Sequence, residues 1–293
     1  GSGNEDLTNV TWLQILVIQT FINNEVRNYS IQNNFTNAYL TIIANPNAIQ
    51  NRYKRPNMAG SVNHQALDPT VYANYSGDAR PELAVGRLMG ISVSDVSSQI
   101  ANSLFYKDLR NNNLNMKFFG ANVTGTYNAI DDANNWSARF KNIGYTAINI
   151  TSLLNGFHFD ANDSYNQLLI SYNGHGNSFG WSGIDYNDIP NQNVTLFFSN
   201  SCYNCFISSS TPSNTFCMHA IRKGAVTHTG DVSISWGGDL IAKNTLSNMF
   251  YLNMTIGKAY RQNYSIDPGR WMNELQADPT FNAEPKYYLT GHL

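Results

Sequence analysis

The stretch from Gln167 to Cys205, QLLISYNGHGNSFGWSGIDYNDIPNQNVTLFFSNSCYNC, constrains the fold of this chain more than any other. Two apolar runs, residues 168–172 and 194–198, are short enough to be strands of a parallel sheet buried on both faces. Each stops at a loop of small and polar residues that delivers one reactive side chain, His175 after the first run and Cys202 after the second. Open parallel sheets bind their ligands at the carboxyl ends of the strands. If the two runs are neighbours in such a sheet, an imidazole and a thiol face one crevice, the pairing on which thiol-based acyl chemistry depends.

The chain around this stretch alternates as a parallel sheet demands. Residues 117–123, 146–150 and 224–229 read as strands, and residues 131–143, 214–223, 240–250 and 255–262 as helices, a βαβ pattern that places the chain in the α/β class. Upstream, apolar spacing predicts a helix over 7–28, strands over 38–44, 70–75 and 81–88, and a helix over 94–109 whose stripe is Val96, Ile100, Leu104 and Leu109. The polar run 111–115 is the expected boundary between an N-terminal subdomain, residues 1–110, and a second one, residues 111–293. The tail after Asp267 is broken by proline and offers one short strand, 286–290.

Composition narrows the function classes. Only 13% of the 293 residues are charged and the formal net charge is −2, so no Lys/Arg-rich face exists to neutralise nucleic-acid phosphates. No apolar run has the length of a membrane span. Asn-x-Ser/Thr sequons begin at Asn9, Asn28, Asn34, Asn74, Asn122, Asn135, Asn149, Asn162, Asn193, Asn253 and Asn263. Such a density fits a glycoprotein outside the cell or on its surface. Gly1-Ser2-Gly3 resembles a tag remnant, so a native signal peptide is expected to have been removed. Three cysteines do not make a disulfide framework in a chain of this length. The Cys202-x-x-Cys205 spacing lacks a second pair or a histidine at zinc spacing, so no metal site is expected there, and Cys205 and Cys217 read as packing residues.

Four segments in order carry a family resemblance. YANYSGDARPELAVGRLMGISVSDVSSQIANSLFYKD (72–108), SYNGHG (171–176), FFSNSC (197–202) and TFCMHAIRKGAVTHTGDVSISW (215–236) resemble the corresponding parts of the gingipain family of cysteine peptidases, relatives of caspases, legumains and clostripain. The resemblance covers most of residues 38–250. It implies a caspase–hemoglobinase-like α/β/α sandwich with a mainly parallel sheet, in which residues 111–293 are the catalytic caspase-like subdomain and residues 1–110 a smaller gingipain-like one. It further implies endopeptidase activity with Cys202 as nucleophile and His175 as acid/base. Family members that cut after Arg or Lys carry an acid near the start of the helix after the first catalytic strand, where this chain has Asp131 and Asp132, and a pocket Trp that matches Trp236. Asp231 and Asp239 are weaker alternatives for the acid, and His228, in the strand leading to the Trp236 loop, is a further candidate for the pocket wall. The arginine-specific members also place a Glu near the catalytic His. Here that loop reads Asn122-Val-Thr-Gly-Thr126, with no acid to orient His175.

The chemistry fits these residue types. A thiolate is the attacking species, an imidazole can accept and return the proton, and the backbone N–H groups of Gly176 and Cys202 can face the developing oxyanion. No cofactor is required. A structural calcium ion, frequent in the family, would fall to Asp78 and Glu82, although no liganding loop can be read there. The expectation is a secreted endopeptidase acting on proteins or peptides after Arg or Lys. The alternative is a glycosylated surface or binding protein that retains the peptidase fold without its activity.

Overall fold

Phe118 and Phe119 are consecutive residues, yet they pack into different cores. The computed structural model describes residues 12–33, 39–45, 83–110, 113–121, 129–152, 167–206, 213–231, 239–264 and 273–283. Its centre is an eight-stranded sheet, and the alternation of side chains along each strand supplies one apolar layer to either face. The strands are β1 (Tyr39–Ala44), β2 (Ala84–Met89), β3 (Asn115–Ala121), β4 (Thr146–Ser152), β5 (Leu169–Asn173), β9 (Leu196–Asn200), β10 (Thr227–Asp231) and β11 (Asn273–Gln276). Their spatial order is β1-β2-β11-β10-β9-β5-β3-β4. Neighbours run parallel except at β10 and β11, which pair antiparallel. The sheet is therefore two parallel blocks of opposite direction, and the carboxyl ends of β3, β5, β9 and β10 share one edge.

On one face, Met116, Phe118, Leu169, Leu196 and Phe198 meet helices α4 (Ala129–Asn142), α6 (Asp239–Tyr251) and α7 (Ile256–Tyr264) through Trp136, Phe140, Met249, Phe250 and Tyr260. On the other, Phe119, Ile170, Tyr172 and Phe197 meet α5 (Phe216–Arg222) and a small antiparallel sheet formed by β6 (Gly176–Asn177), β7 (Gly180–Trp181) and β8 (Ile184–Asp185). Helices on both faces of a mainly parallel sheet make the expected α/β/α sandwich. The remaining helices are α1 (Trp12–Asn33), α2 (Val93–Leu104) and α3 (Tyr106–Arg110).

The strands and helices of the second half lie within a few residues of their predicted positions. Three differences are informative. The helix expected over 94–109 is two helices that break at Phe105, and its apolar stripe is not a core face: Leu104 is 72% exposed, and Gln99 and Tyr106 are buried instead. The start of α2 is set by a capping box between Ser92 and Asp95, and Gln99 turns inward to donate to the Met89 carbonyl at the end of β2. Asp95 also receives Arg222 of α5, from Nε to Oδ1 at 3.2 Å and from Nη2 to Oδ2 at 2.9 Å, which fixes α2 against α5. Burial raises the Asp95 carboxyl, but Arg222 and the Ser92 and Ile91 amides outweigh it and hold the group below its ordinary range. Second, β11 lies in the tail that sequence patterning leaves unassigned up to residue 286. Its four residues carry no apolar alternation, and pairing with β10 rather than propensity makes them a strand. Third, β6–β8 occupy a segment rich in Gly, Ser and Asn that reads only as loop. The strands predicted over 70–75 and 286–290 fall outside the described residues, as do residues 111–112 at the expected subdomain boundary.

Candidate active site

Strands β5 and β9 are adjacent and parallel, with Asn173 opposite Asn200 at their carboxyl ends. The Gly174 N–H donates to the Asn200 carbonyl at 3.2 Å. His175 and Cys202 each lie two residues beyond that pair, so one register places both loops over one edge. His175 is exposed and Cys202 partly so, and Cys202 is outside the disulfide formed by the other two cysteines.

The His175 loop is braced from below. Tyr172 Oη donates to the His175 carbonyl at 2.7 Å, and the Ser182 N–H donates to that same carbonyl at 3.0 Å. The Tyr172 ring stacks on Trp181 with centroids 4.4 Å apart, and burial pushes its phenol above the ordinary value, so it stays a donor. Trp181 Nε1–H donates to Ser199 Oγ at 2.9 Å, and Ser199 Oγ is 3.0 Å from Ser201 Oγ. The brace of the histidine loop thus reaches the residue before Cys202. The loops also touch directly, since a Cβ on Gly176 would come within 2.7 Å of Ser201 Cβ and Oγ. Gly176 is required by this close approach.

The backbone geometry bears on the oxyanion donors. In an antiparallel pair, hydrogen-bonded positions alternate with non-bonded ones. His175 and Ser182 are bonded, so the next pair, Gly176 and Trp181, is not. The Gly176 N–H is therefore outside the β6–β7 ladder. Beyond Cys202, Tyr203 takes the left-handed φ of 56°, uncommon for a side-chain-bearing residue. The loop is then tied down by the Cys205 N–H to the Asp231 carbonyl at 2.9 Å and by the Cys205–Cys217 disulfide to α5. The expectation that Cys205 and Cys217 merely pack is corrected by that covalent link.

A Cys–His contact is present elsewhere, and it is a different object. Cys205 Sγ is 3.2 Å from His228 Nδ1, but both side chains are 0% exposed and the sulfur is bonded to Cys217. Neither can meet a substrate. His228 stacks on Phe197, and burial pushes its imidazole down to about 3. Its assignment to the pocket wall is therefore corrected: strand alternation in β10 turns it into the core. Cys205, Cys217 and His228 are also the one group of potential metal ligands among the described residues. Metal binding needs thiolates, and the disulfide consumes both.

The expected acids separate. Asp131 is exposed on the first turn of α4. Asp132 lines a pocket at the carboxyl ends of β3, β5 and β9, with Phe118, Trp136, Asn173, Asn200 and Lys243. Asn173 Nδ2 donates to Asp132 Oδ2 at 3.0 Å, Asn200 Nδ2 donates to Asn173 Oδ1 at 2.7 Å, and Lys243 Nζ is 2.5 Å from Asp132 Oδ2. Asp231 is buried at the end of β10, and Asp239 is the first residue of α6. Trp236, the loop 122–126, Asp78 and Glu82 lie outside the described residues. Sequence reasoning missed Tyr172, Asn173, Asn200 and Lys243. The two asparagines did carry a signal, each lying just past an apolar run and two residues before a reactive side chain. Lys243 carries none, because it meets Asp132 only through the packing of α6 beside α4.

A family model described as Peptidase family C25 matches residues 15–281. Among similar solved structures are two that this chain covers in part. The Arg-specific cysteine proteinase gingipain R (RGPB) has 18% identity and a TM-score of 0.70, covering 94% of this chain and 69% of that one. A structure described as a protease has 13% identity and a TM-score of 0.65, covering 96% of this chain and 71% of that one. No curated protein matches the sequence significantly.

His228 makes stability depend on pH. Unfolded, a histidine titrates near its ordinary value of about 6.5; folded, this one stays neutral down to about 3. The unfolded chain therefore binds the extra proton first, so His228's share of stability is intact above about pH 6.5 and is lost as pH falls toward 3, at up to about 1.4 kcal/mol per pH unit. Urea unfolding of the protein and of His228→Gln across pH 4–7.5 is expected to show a shallower acid limb in the variant. Parallel limbs would contradict it.

Proposed function

The chain belongs to peptidase family C25 and is a cysteine peptidase, and from that premise we propose that it is an endopeptidase with Cys202 as nucleophile and His175 as the group that moves the proton. The observation that carries the assignment is the β5–β9 register, which sets these two residues on touching loops at one sheet edge. The Cys205–His228 contact is buried, and its sulfur is held in a disulfide.

Turnover follows from these parts. His175 takes the Cys202 thiol proton, the thiolate sulfur attacks the scissile carbonyl carbon to form a C–S bond, and the carbonyl electron pair moves onto oxygen. The Gly176 and Cys202 N–H groups donate to that oxyanion, a contribution of about 2.7–4 kcal/mol per donor in other enzymes. As the C–N bond breaks, His175 delivers a proton to the leaving amine. Water, giving its proton to His175, then hydrolyses the thioester and restores the thiol. Tyr172 acts on His175 rather than on the reacting atoms, positioning it by holding its carbonyl.

The natural substrates on this reading are proteins or peptides. Of the two acids from which cleavage after Arg or Lys is expected, Asp131 faces solvent and Asp132 lies in the pocket beside the reactive loops already paired with Lys243, so a preference for Arg or Lys is not part of this proposal. The Lys243 ammonium that meets Asp132 bears directly on that preference. An extracellular or cell-surface setting is supported by the eleven sequons and by the Cys205–Cys217 disulfide. Peptide-N-glycosidase treatment of protein from its native source should lower its mass, and an unglycosylated chain with reduced Cys205 and Cys217 there would contradict that setting.

Cys202→Ala is expected to abolish peptide hydrolysis while leaving thermal stability within the range of a surface change. A folded but active variant would overturn the nucleophile, and a wild type that hydrolyses no peptide would favour the non-catalytic binding protein. Tyr172→Phe is expected to lower kcat about ten- to hundredfold with KM little changed, since small misplacements of a catalytic group have costs of that size. An unaltered kcat would remove Tyr172 from its positioning role.

A further inference from the structure

The pocket beside the reactive loops contains both signs of charge. Asp132 comes from α4 and Lys243 from α6, their closest atoms are 2.5 Å apart, and their side chains are only 22% and 20% exposed. A pair this sheltered is screened far less than one on an open surface. Two amides complete the polar end, Asn173 donating to Asp132 Oδ2 at 3.0 Å and Asn200 donating to Asn173 Oδ1 at 2.7 Å. Phe118, Trp136 and Leu246 supply apolar wall, and Ser171 and Tyr172 also line it. Asn173 and Asn200 are the strand ends from which His175 and Cys202 depart, so a side chain flanking the scissile bond reaches this pocket first.

We propose that Lys243 is a specificity-determining residue: by neutralising Asp132 from within, it makes the pocket select an uncharged side chain on the acyl side of the scissile bond, and its removal converts the pocket to one that accepts Arg or Lys. This rests on the endopeptidase reading above. A guanidinium or ammonium from substrate would have to share Asp132 with a cation already in contact with it, at the expense of like-charge repulsion in a sheltered site. An acidic substrate side chain would have to draw Lys243 away from Asp132 and leave that carboxylate beside it. A neutral side chain meets neither obstacle. It can pack on Phe118, Trp136 and Leu246 and exchange hydrogen bonds with the asparagine amides.

The test compares wild type, Lys243→Met and Lys243→Gln on peptides differing only in Arg, Lys, Glu, Gln or Leu before the scissile bond. Wild type is expected to favour Gln or Leu. Each Lys243 variant is expected to gain at least about tenfold in kcat/KM for Arg relative to Leu, the worth of one charge-assisted contact. Adding Asp132→Asn should erase that gain. A wild type that prefers Arg, Lys or Glu, or variants with an unchanged profile, would overturn the proposal. Binding of butylguanidinium to Cys202→Ala protein, followed by calorimetry, reads the pocket without chemistry. It should be at least about tenfold tighter when Lys243→Met is added, and equal affinity would overturn the proposal even if no peptide is cleaved. Failure of hydrolysis with that tightening intact would count against the endopeptidase reading alone.

Discussion

The pairing of β5 with β9 is the constraint on which the site depends. Side chains alternate along a strand, so a slip of one residue would drive Ile170 or Phe197 into the opposite core and move His175 about 3.3 Å along the edge relative to Cys202. The two apolar layers exclude that slip. Leu169, Leu196 and Phe198 fill the α4–α6–α7 side, while Ile170, Tyr172 and Phe197 fill the α5 side. Burial of carbon thus fixes where two polar loops meet. The Gly176–Ser201 contact and the chain of bonds from Tyr172 through Trp181 and Ser199 to Ser201 carry that placement past the ends of the strands.

Two cysteine–histidine pairs in one small region, one in contact and one on adjoining loops, show how burial sorts reactive groups. His228 and Cys205 are in hydrogen-bond reach but sealed, with the imidazole held neutral by desolvation and the sulfur bonded to Cys217. His175 and Cys202 stand on loops that water and substrate can reach. The buried group has a structural task, fastening the Cys202 loop to α5 and the end of β10. The proposed chemistry falls to the pair at the edge.

What the sequence made legible follows from which interactions are local. The apolar runs, their length and the βαβ alternation report burial of single elements, so the sheet and its helices could be read within a few residues. His175 and Cys202 stand out because each lies two residues beyond a buried strand, and the β5–β9 register brings their loops to one edge. The α2 stripe misled because apolar spacing identifies a face but not its cover, and the Ser92–Asp95 cap with the Arg222 clamp turns another face inward. His228, Lys243, β11 and the Cys205–Cys217 bond depend on contacts between distant parts of the chain, for which neither periodicity nor spacing leaves a mark.

A structure of the protein after reaction with a peptidyl acyloxymethyl ketone tests the central claim most directly. The account predicts a thioether on Cys202 Sγ, with the inhibitor's first side chain in the pocket walled by Asp132 and Lys243 and its carbonyl oxygen facing the Gly176 N–H. An adduct on Cys205 or Cys217, or a side chain seated elsewhere, would contradict it.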